Sequence, residues 1–122
     1  MSGRASQKKG RSGELEIVKI FQAHGIDAQP GRAVSYGATP DVLDIPGVHP
    51  EVKRVERLNV QEAMNQAIRD SEKFGDGTPV LFHRRNRCEW LCTMRMADWI
   101  RYYVNQAQEK NSFCVESKGG TE

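Results

Sequence analysis

Two short runs in this 122-residue chain carry residue types that can do chemistry together: Pro40-Asp41 and, ten residues on, Glu51-Val52-Lys53. In an extended strand successive side chains alternate faces, so Glu51 and Lys53 point the same way while Val52 points into the core. Their Cα atoms then lie roughly 6.6–6.8 Å apart. If Asp41 opens the neighbouring strand of a hairpin, its carboxylate reaches the same spot. Two carboxylates, a backbone carbonyl and waters are the hard oxygen set that Mg²⁺ prefers. A lysine beside them can hold or deprotonate an attacking water and steady the charge developing on a phosphate. A metal ion held there polarises a phosphoryl oxygen and activates water. An E-x-K strand is by itself usually a solvated face with a weak ion pair. Here the context points to a site: Pro-Asp lies upstream across a turn, a glutamate sits in the preceding helix, and an amide-bearing helix follows.

The elements that must hold these groups are legible from periodicity. From Ser12 the pattern is helical, with Ser12 as N-cap and Glu14 and Glu16 in the first turn, where the helix dipole favours carboxylates. Leu15, Val18 and Phe21 mark one face, Ile17 and Ile20 widen it, and Gly25 stops the helix. The stretch GIDAQPGRAV reads as a short strand broken at Pro30-Gly31, and SYGATP as a loop. Two extended segments around Pro46-Gly47 read as a hairpin. Pro50 cannot donate to a ladder, so the second strand starts near Glu51 or is bulged there. A helix follows to Phe74, with Val60, Ala63, Met64, Ala67, Ile68 and Ser71 on one face. Asn59 is its N-cap, with Glu62 as in a capping box, and GDG ends it. TPVLFHR and RCEWLCT are strands around a tight turn at Arg85-Asn86. Met96 to Gln108 closes the domain as a helix burying Met96, Trp99, Ile100 and Tyr103. The order is α-β-β-β-α-β-β-α, an α/β chain with helices over both faces of one mixed sheet.

Composition bounds the rest. Apolar residues make up 38% and charged ones 28%, with mean hydropathy −0.66. This suits one modest core with polar tails and is too apolar for a wholly disordered chain. No apolar run nears the roughly 18 residues of a membrane span, and the basic N-terminus has no apolar segment behind it, so neither a membrane partner nor a secretory signal is expected. Three cysteines without a CxxC pair fit a reducing, cytoplasmic setting. The net charge is +2, yet Arg4, Lys8, Lys9 and Arg11 crowd the first thirteen residues and five arginines lie between His83 and Arg101. Basic segments around a more acidic middle suggest a polyanion held at the edges.

Gly10-Arg11-Ser12-Gly13-Glu14, Ser35-Tyr36-Gly37, Thr39-Pro40-Asp41 and Glu51-Val52-Lys53 together resemble the PD-(D/E)XK nucleases, most closely archaeal-type Holliday junction resolvases and their phage-encoded relatives. The likeness runs from about Lys8 to Trp99, and the later segments look more like the phage branch. It implies a restriction-endonuclease-like core, αβββαβ, with a mixed central sheet flanked by helices. Residues 1–12 lack apolar periodicity and the end of the chain is polar, so the chain divides into a basic flexible arm (1–12), a nuclease domain (13–108) and a polar flexible tail (109–122). The likeness also implies that Asp41, Glu51 and the Val52 carbonyl bind Mg²⁺ (Mn²⁺ as an alternative), assisted by Glu14, and that Lys53 is the catalytic lysine. Ser35 matches a loop serine near the scissile phosphate, and Arg11 a basic residue near the DNA backbone. Gln66 matches a glutamine kept close to the site, with Gln61 its rival. The short hairpin with Pro50 directly before Glu51, and the extension EVKRVERLN, depart from the archaeal pattern.

Lys8, Lys9, Arg11, Arg32, Arg54, Arg84, Arg85 and Arg87 are the candidate phosphate contacts, since backbone contacts dominate DNA affinity. His83, Cys88 and Cys92 lack a fourth ligand for zinc, and Cys88, Trp90 and Cys92 read instead as one core-facing strand face. The activity that the resemblance implies is Mg²⁺-dependent hydrolysis of opposed strands of a four-way DNA junction, leaving 5′-phosphate and 3′-hydroxyl ends, in the host cell's cytoplasm if the chain is phage-encoded. A two-fold substrate calls for two sites, hence a homodimer. The alternatives are a nuclease of the same fold acting on flaps or single strands, and a branched-DNA-binding module without catalysis.

Overall fold

The computed structural model describes the backbone of residues 2–31 and 40–121, and the side chains of residues 11–31 and 40–110. Eight elements follow in the expected order: α1 (Ser2–Ala23), β1 (Gln29–Pro30), β2 (Val42–Leu43), β3 (Val48–Arg54), α2 (Val60–Phe74), β4 (Thr78–Arg84), β5 (Leu91–Thr93) and α3 (Met96–Thr121). Among the described residues no helix is long and apolar enough to cross a membrane. Helix α1 starts ten residues before Ser12, so Ser12 is no cap; its Oγ instead accepts from Arg54 Nη1 at 3.0 Å. Residues 2–12 lack an apolar stripe, but Arg, Ala, Gln and Lys are good helix formers, and propensity does not need one. The polar stretch from 109 is likewise helical, within α3.

Strands β3, β4 and β5 form one mixed sheet, with β3 parallel to β4 and β4 antiparallel to β5. The β3–β4 crossover is α2, as parallel pairing requires. No hairpin ladder joins β2 to β3: β2 pairs with β1 instead, through Gln29↔Leu43 and Pro30↔Val42. Asp44 at φ 63° and Gly47 at φ 79° turn the chain between them. Pro50 neither delays nor bulges β3, and pairs in register with Val80. The reason is sidedness. The N–H of Val52 points away from β4, and residues two apart share that direction, so the N–H that Pro50 lacks would have faced the sheet edge.

Alternation gives β3 and β4 two different faces. Val52 and Phe82 join Ile17, Val18, Ala28, Val42 and Ile45 under α1, with Phe21 edge-on to Phe82 at 5.6 Å. Leu81 faces the other way and packs on Ala63, Met64 and Ala67 of α2. The α2 caps are as expected: Asn59 accepts from the Glu62 N–H at 3.0 Å, and Gly75 is left-handed at φ 61°. Three expectations of burial fail. Leu15 and Ile20 stand on the outer side of α1, 42% and 40% exposed. Cys88 and Cys92 are exposed, because β5 is three residues long and, among the described residues, pairs with β4 alone. Met96, Trp99, Ile100 and Tyr103 are also exposed; α3 meets the sheet instead through Arg101, whose Nη2 donates to Thr78 Oγ1 of β4 at 2.8 Å.

Candidate active site

Asp41 immediately precedes β2 and is held by both backbone and side chain. Its carbonyl accepts from the Gly31 N–H at 3.0 Å, and its Oδ2 accepts from the Val52 N–H at 2.9 Å. A Cβ at Gly31 would collide with the Pro40 carbonyl oxygen, so glycine is what lets the chain pass there. The carboxylate thus replaces the missing ladder between β2 and β3. Because N–H and C=O of one strand residue point the same way, the Val52 carbonyl also faces the Asp41 side.

Glu51 and Lys53 share the opposite face of β3 from Val52, the face that α2 covers. Lys53 Nζ lies 3.5 Å from Glu51 Oε2, with Glu51 buried and Lys53 half-buried. Helix α1 brings Glu14 to the same neighbourhood through Gly13, whose Cβ, if present, would lie 3.1 Å from Arg54 Cβ and 3.4 Å from Val52 Cγ1. A glycine in mid-helix costs helix stability, and here it permits close approach.

The electrostatics are those of crowded acids. Burial, followed by the Asp41 charge, raises Glu51 to about 8 against the pull of Lys53. Burial and then Asp41 raise Glu14 to about 7, opposed by Arg11 and Lys53. Asp41 is raised chiefly by burial, which its bond from Val52 partly offsets. Three carboxylates therefore share Lys53, with Arg11 acting on Glu14 as well. Carboxylate oxygens with a carbonyl beside them, short of positive charge, are the donor set a hard divalent cation takes. The fold's implied metal fits Asp41, Glu51, the Val52 carbonyl and Glu14.

The other candidate residues divide. Ser35 and Arg32 lie outside the described residues, as do the side chains of Lys8 and Lys9, whose backbone is in α1. Gln66 sits one turn before Asp70 on α2, and Asp70 acts electrostatically on Glu51, so Gln66 is on the stripe nearest the site. Gln61 is exposed and donates to Asn65 Oδ1 at 3.0 Å. Arg84 is not a solvated turn cation: its Nε and Nη2 donate to Glu16 Oε1 at 3.0 and 2.8 Å, and it stacks over Trp90. Arg54 is engaged too, with Ser12, with Glu16 at 3.4 Å and with Asn86. Arg11, Arg85 and Arg87 are exposed.

Sequence reasoning missed four groups. Glu16 joins Arg54, Arg84 and the Trp90 indole N–H, binding α1 to the sheet. A nitrogen of His49, an oxygen of Glu51 and an oxygen of Asp70 lie within 4.8 Å of one another, and Asp76 accepts from His49 Nδ1. Strand alternation puts His49 on the Glu51 face and could have found it. Asp70 and Asp76 come from elsewhere in the chain, and no local signal marks them.

This architecture, with carboxylates and a lysine on an edge strand between two helices, is the restriction-endonuclease-like α/β fold. The solved structure of Archaeoglobus fulgidus Hjc, a Holliday junction resolvase from an archaeal hyperthermophile, superposes with a TM-score of 0.50, covering 68% of this chain and 74% of that one. The two are 15% identical in sequence, so the likeness is one of fold. No family model matches the chain, and no curated protein matches it.

Proposed function

We propose that this chain is a Mg²⁺-dependent, structure-specific DNA endonuclease that resolves four-way junctions as a homodimer, with Mn²⁺ as an alternative ion. The observation that carries the reading is convergence. Three elements distant in sequence bring Glu14, Asp41, Glu51 and Lys53 into one electrostatically coupled group. The fold shared with an archaeal resolvase supports it.

Asp41, Glu51, the Val52 carbonyl and Glu14 would hold the cation, which when bound supplies Lewis-acid polarisation of a phosphate and a more acidic water. The chain's own groups do the rest. Lys53, anchored by Glu51, stands where it can orient water and offset charge building on the phosphate. Gln66 lines the same stripe of α2. Arg11, Arg85 and Arg87 supply exposed positive charge for the backbone. A four-way junction is close to two-fold symmetric, and two copies of the chain present two such sites.

The test compares labelled four-way junction, flap and linear duplex as substrates, each with Mg²⁺ or EDTA. Paired, symmetric nicks in the junction alone are expected. Equal cutting of junction and linear duplex removes the resolvase assignment while keeping the nuclease. If replacing both Asp41 and Glu51 by neutral residues only tightens DNA binding and wild type never cuts, the chain is a binding module.

A further inference from the structure

The α2 face of β3 carries a second group of metal-ligating atoms, distinct from the oxygen set around Asp41. His49 precedes Glu51 by two residues and shares its face, and Asp70 reaches the same place from α2. One donor atom from each lies within 4.8 Å of the others. His49 is 1% exposed, and its ring lies parallel to Phe74 with centroids 6.0 Å apart. Both oxygens of Asp76 lie against His49 Nδ1, at 2.8 and 2.9 Å.

That contact fixes the chemistry of the ring. A carboxylate on Nδ1 keeps the proton there and leaves the lone pair on Nε2. Nε2 is buried and has no hydrogen-bond partner among the described residues. A buried acceptor without a partner is rare in folded proteins and calls for a missing one. Carboxylate, imidazole and then an open coordination position is the sequence by which proteins orient a histidine toward a metal. A carboxylate pair alone would suit Mg²⁺, but a nitrogen donor shifts preference toward borderline transition ions.

We propose that His49 Nε2, Glu51 and Asp70 form a binding site for a borderline divalent cation, such as Co²⁺, Ni²⁺ or Zn²⁺, with Asp76 as the positioning residue for His49. The site goes beyond the nuclease reading and does not rest on it. Its connection to that reading is Glu51, which belongs to both donor sets, so a cation here sits beside the oxygen set and shares a ligand with it.

Co²⁺ titration of the metal-free full-length protein tests this, read by visible ligand-field bands and by the ¹⁵N shift of the His49 ring. The expected result is a saturable band with a shift at Nε2, persisting in equimolar Mg²⁺. Asp70→Asn, on a half-buried helical position, should weaken Co²⁺ at least about tenfold, as should Asp76→Ala by roughly 10–100-fold, the usual effect of losing a ligand's orienting partner. Asp76→Asn, which keeps an acceptor for the Nδ1 proton, should recover part of that loss, a rescue that a purely structural role does not predict. Circular dichroism shows which variants are folded, and His49→Gln is interpreted only if it is. Co²⁺ affinity unchanged in folded Asp70→Asn and Asp76→Ala, or Co²⁺ displaced by equimolar Mg²⁺, overturns the proposal. Asp41→Asn separates the two readings: it removes a ligand of the oxygen set and should leave the nitrogen-containing Co²⁺ spectrum in place.

Discussion

The Val52 N–H donates to Asp41 Oδ2 at 2.9 Å, so the acid at the centre of the site also holds its two strands together. The bond explains why a one-atom change there separates chemistry from folding. In Asp41→Asn the amide oxygen can still accept from Val52, whereas Asp41→Ala leaves a buried N–H unpaired at a cost of about 1–3 kcal/mol. Asp41→Asn should therefore melt near wild type and lose cleavage, while Asp41→Ala should also lose stability. Thermal melts and junction cleavage of the two variants side by side check this. Equal destabilisation by both would contradict the bond's role.

Metal uptake should release protons. Glu51 at about 8 and Glu14 at about 7 hold protons near neutral pH, and a cation must displace them. Affinity should rise as pH climbs from about 6 to about 8 and then level. Calorimetry in buffers of different ionisation enthalpy reads the proton count directly. A pH-independent affinity across that range would contradict the crowding.

The raised acids also set how stability depends on pH. Between the ordinary carboxylate range and about 8, the folded protein binds more protons than the unfolded chain, so stability falls as pH rises. Every tenfold difference in proton affinity between the folded and unfolded chain is worth about 1.4 kcal/mol. Metal-free protein should melt at lower temperature at pH 8 than at pH 5.5, and saturating Mg²⁺ should restore part of the difference. Melting temperatures that rise with pH in EDTA would contradict the burial of these acids.

Gly13→Ala probes how closely α1 must approach β3. Its Cβ would lie 3.1 Å from Arg54 Cβ, so α1 must give by a few tenths of an ångström, carrying Glu14 with it. Since about 1 Å of misplacement can cost 10²-fold in rate, a severalfold loss of cleavage is expected. Junction affinity should stay near wild type. Unchanged cleavage would show that Glu14 need not be placed so closely.

Arg84 and Arg87 are three residues apart and should behave differently. Arg84 is bound to Glu16 and stacked on Trp90, so Arg84→Ala should act on stability, by about 1–3 kcal/mol in urea unfolding. Arg87 is exposed, so Arg87→Ala should leave stability alone and lower the salt slope of junction binding by about 1. The reverse pattern would mean that the Glu16 network is dispensable.

Local signals made the element order legible, together with Asp41, the Glu51 and Lys53 pair of β3, the helix-borne Glu14 and the Asn59 and Gly75 caps. Strand partners were not legible, because Pro46-Gly47 reads as a hairpin turn whether or not a ladder follows. The Asp41 side chain takes over that ladder, and such a substitution has no sequence signature. Apolar spacing in α3 matched a buried face, yet Trp99 and Tyr103 stack on each other at 5.3 Å in the open. Periodicity reports a face and not what covers it. Asp70 and Asp76 escaped notice because they meet His49 across 21 and 27 residues. Arg84 reads from sequence as a phosphate contact because its partner Glu16 is 68 residues away.

The central claim is that Asp41, Glu51 and Lys53 form a phosphodiesterase site, and single-turnover cleavage of a labelled four-way junction by wild type and Lys53→Ala tests it most directly. Junction binding in EDTA is measured in parallel. Wild type should make paired nicks only with Mg²⁺, and Lys53→Ala should bind normally while cutting roughly 10²–10³-fold more slowly, the usual loss of a charge-stabilising donor. Tight binding with no cleavage by wild type under any divalent metal, or full activity in Lys53→Ala, would contradict the account.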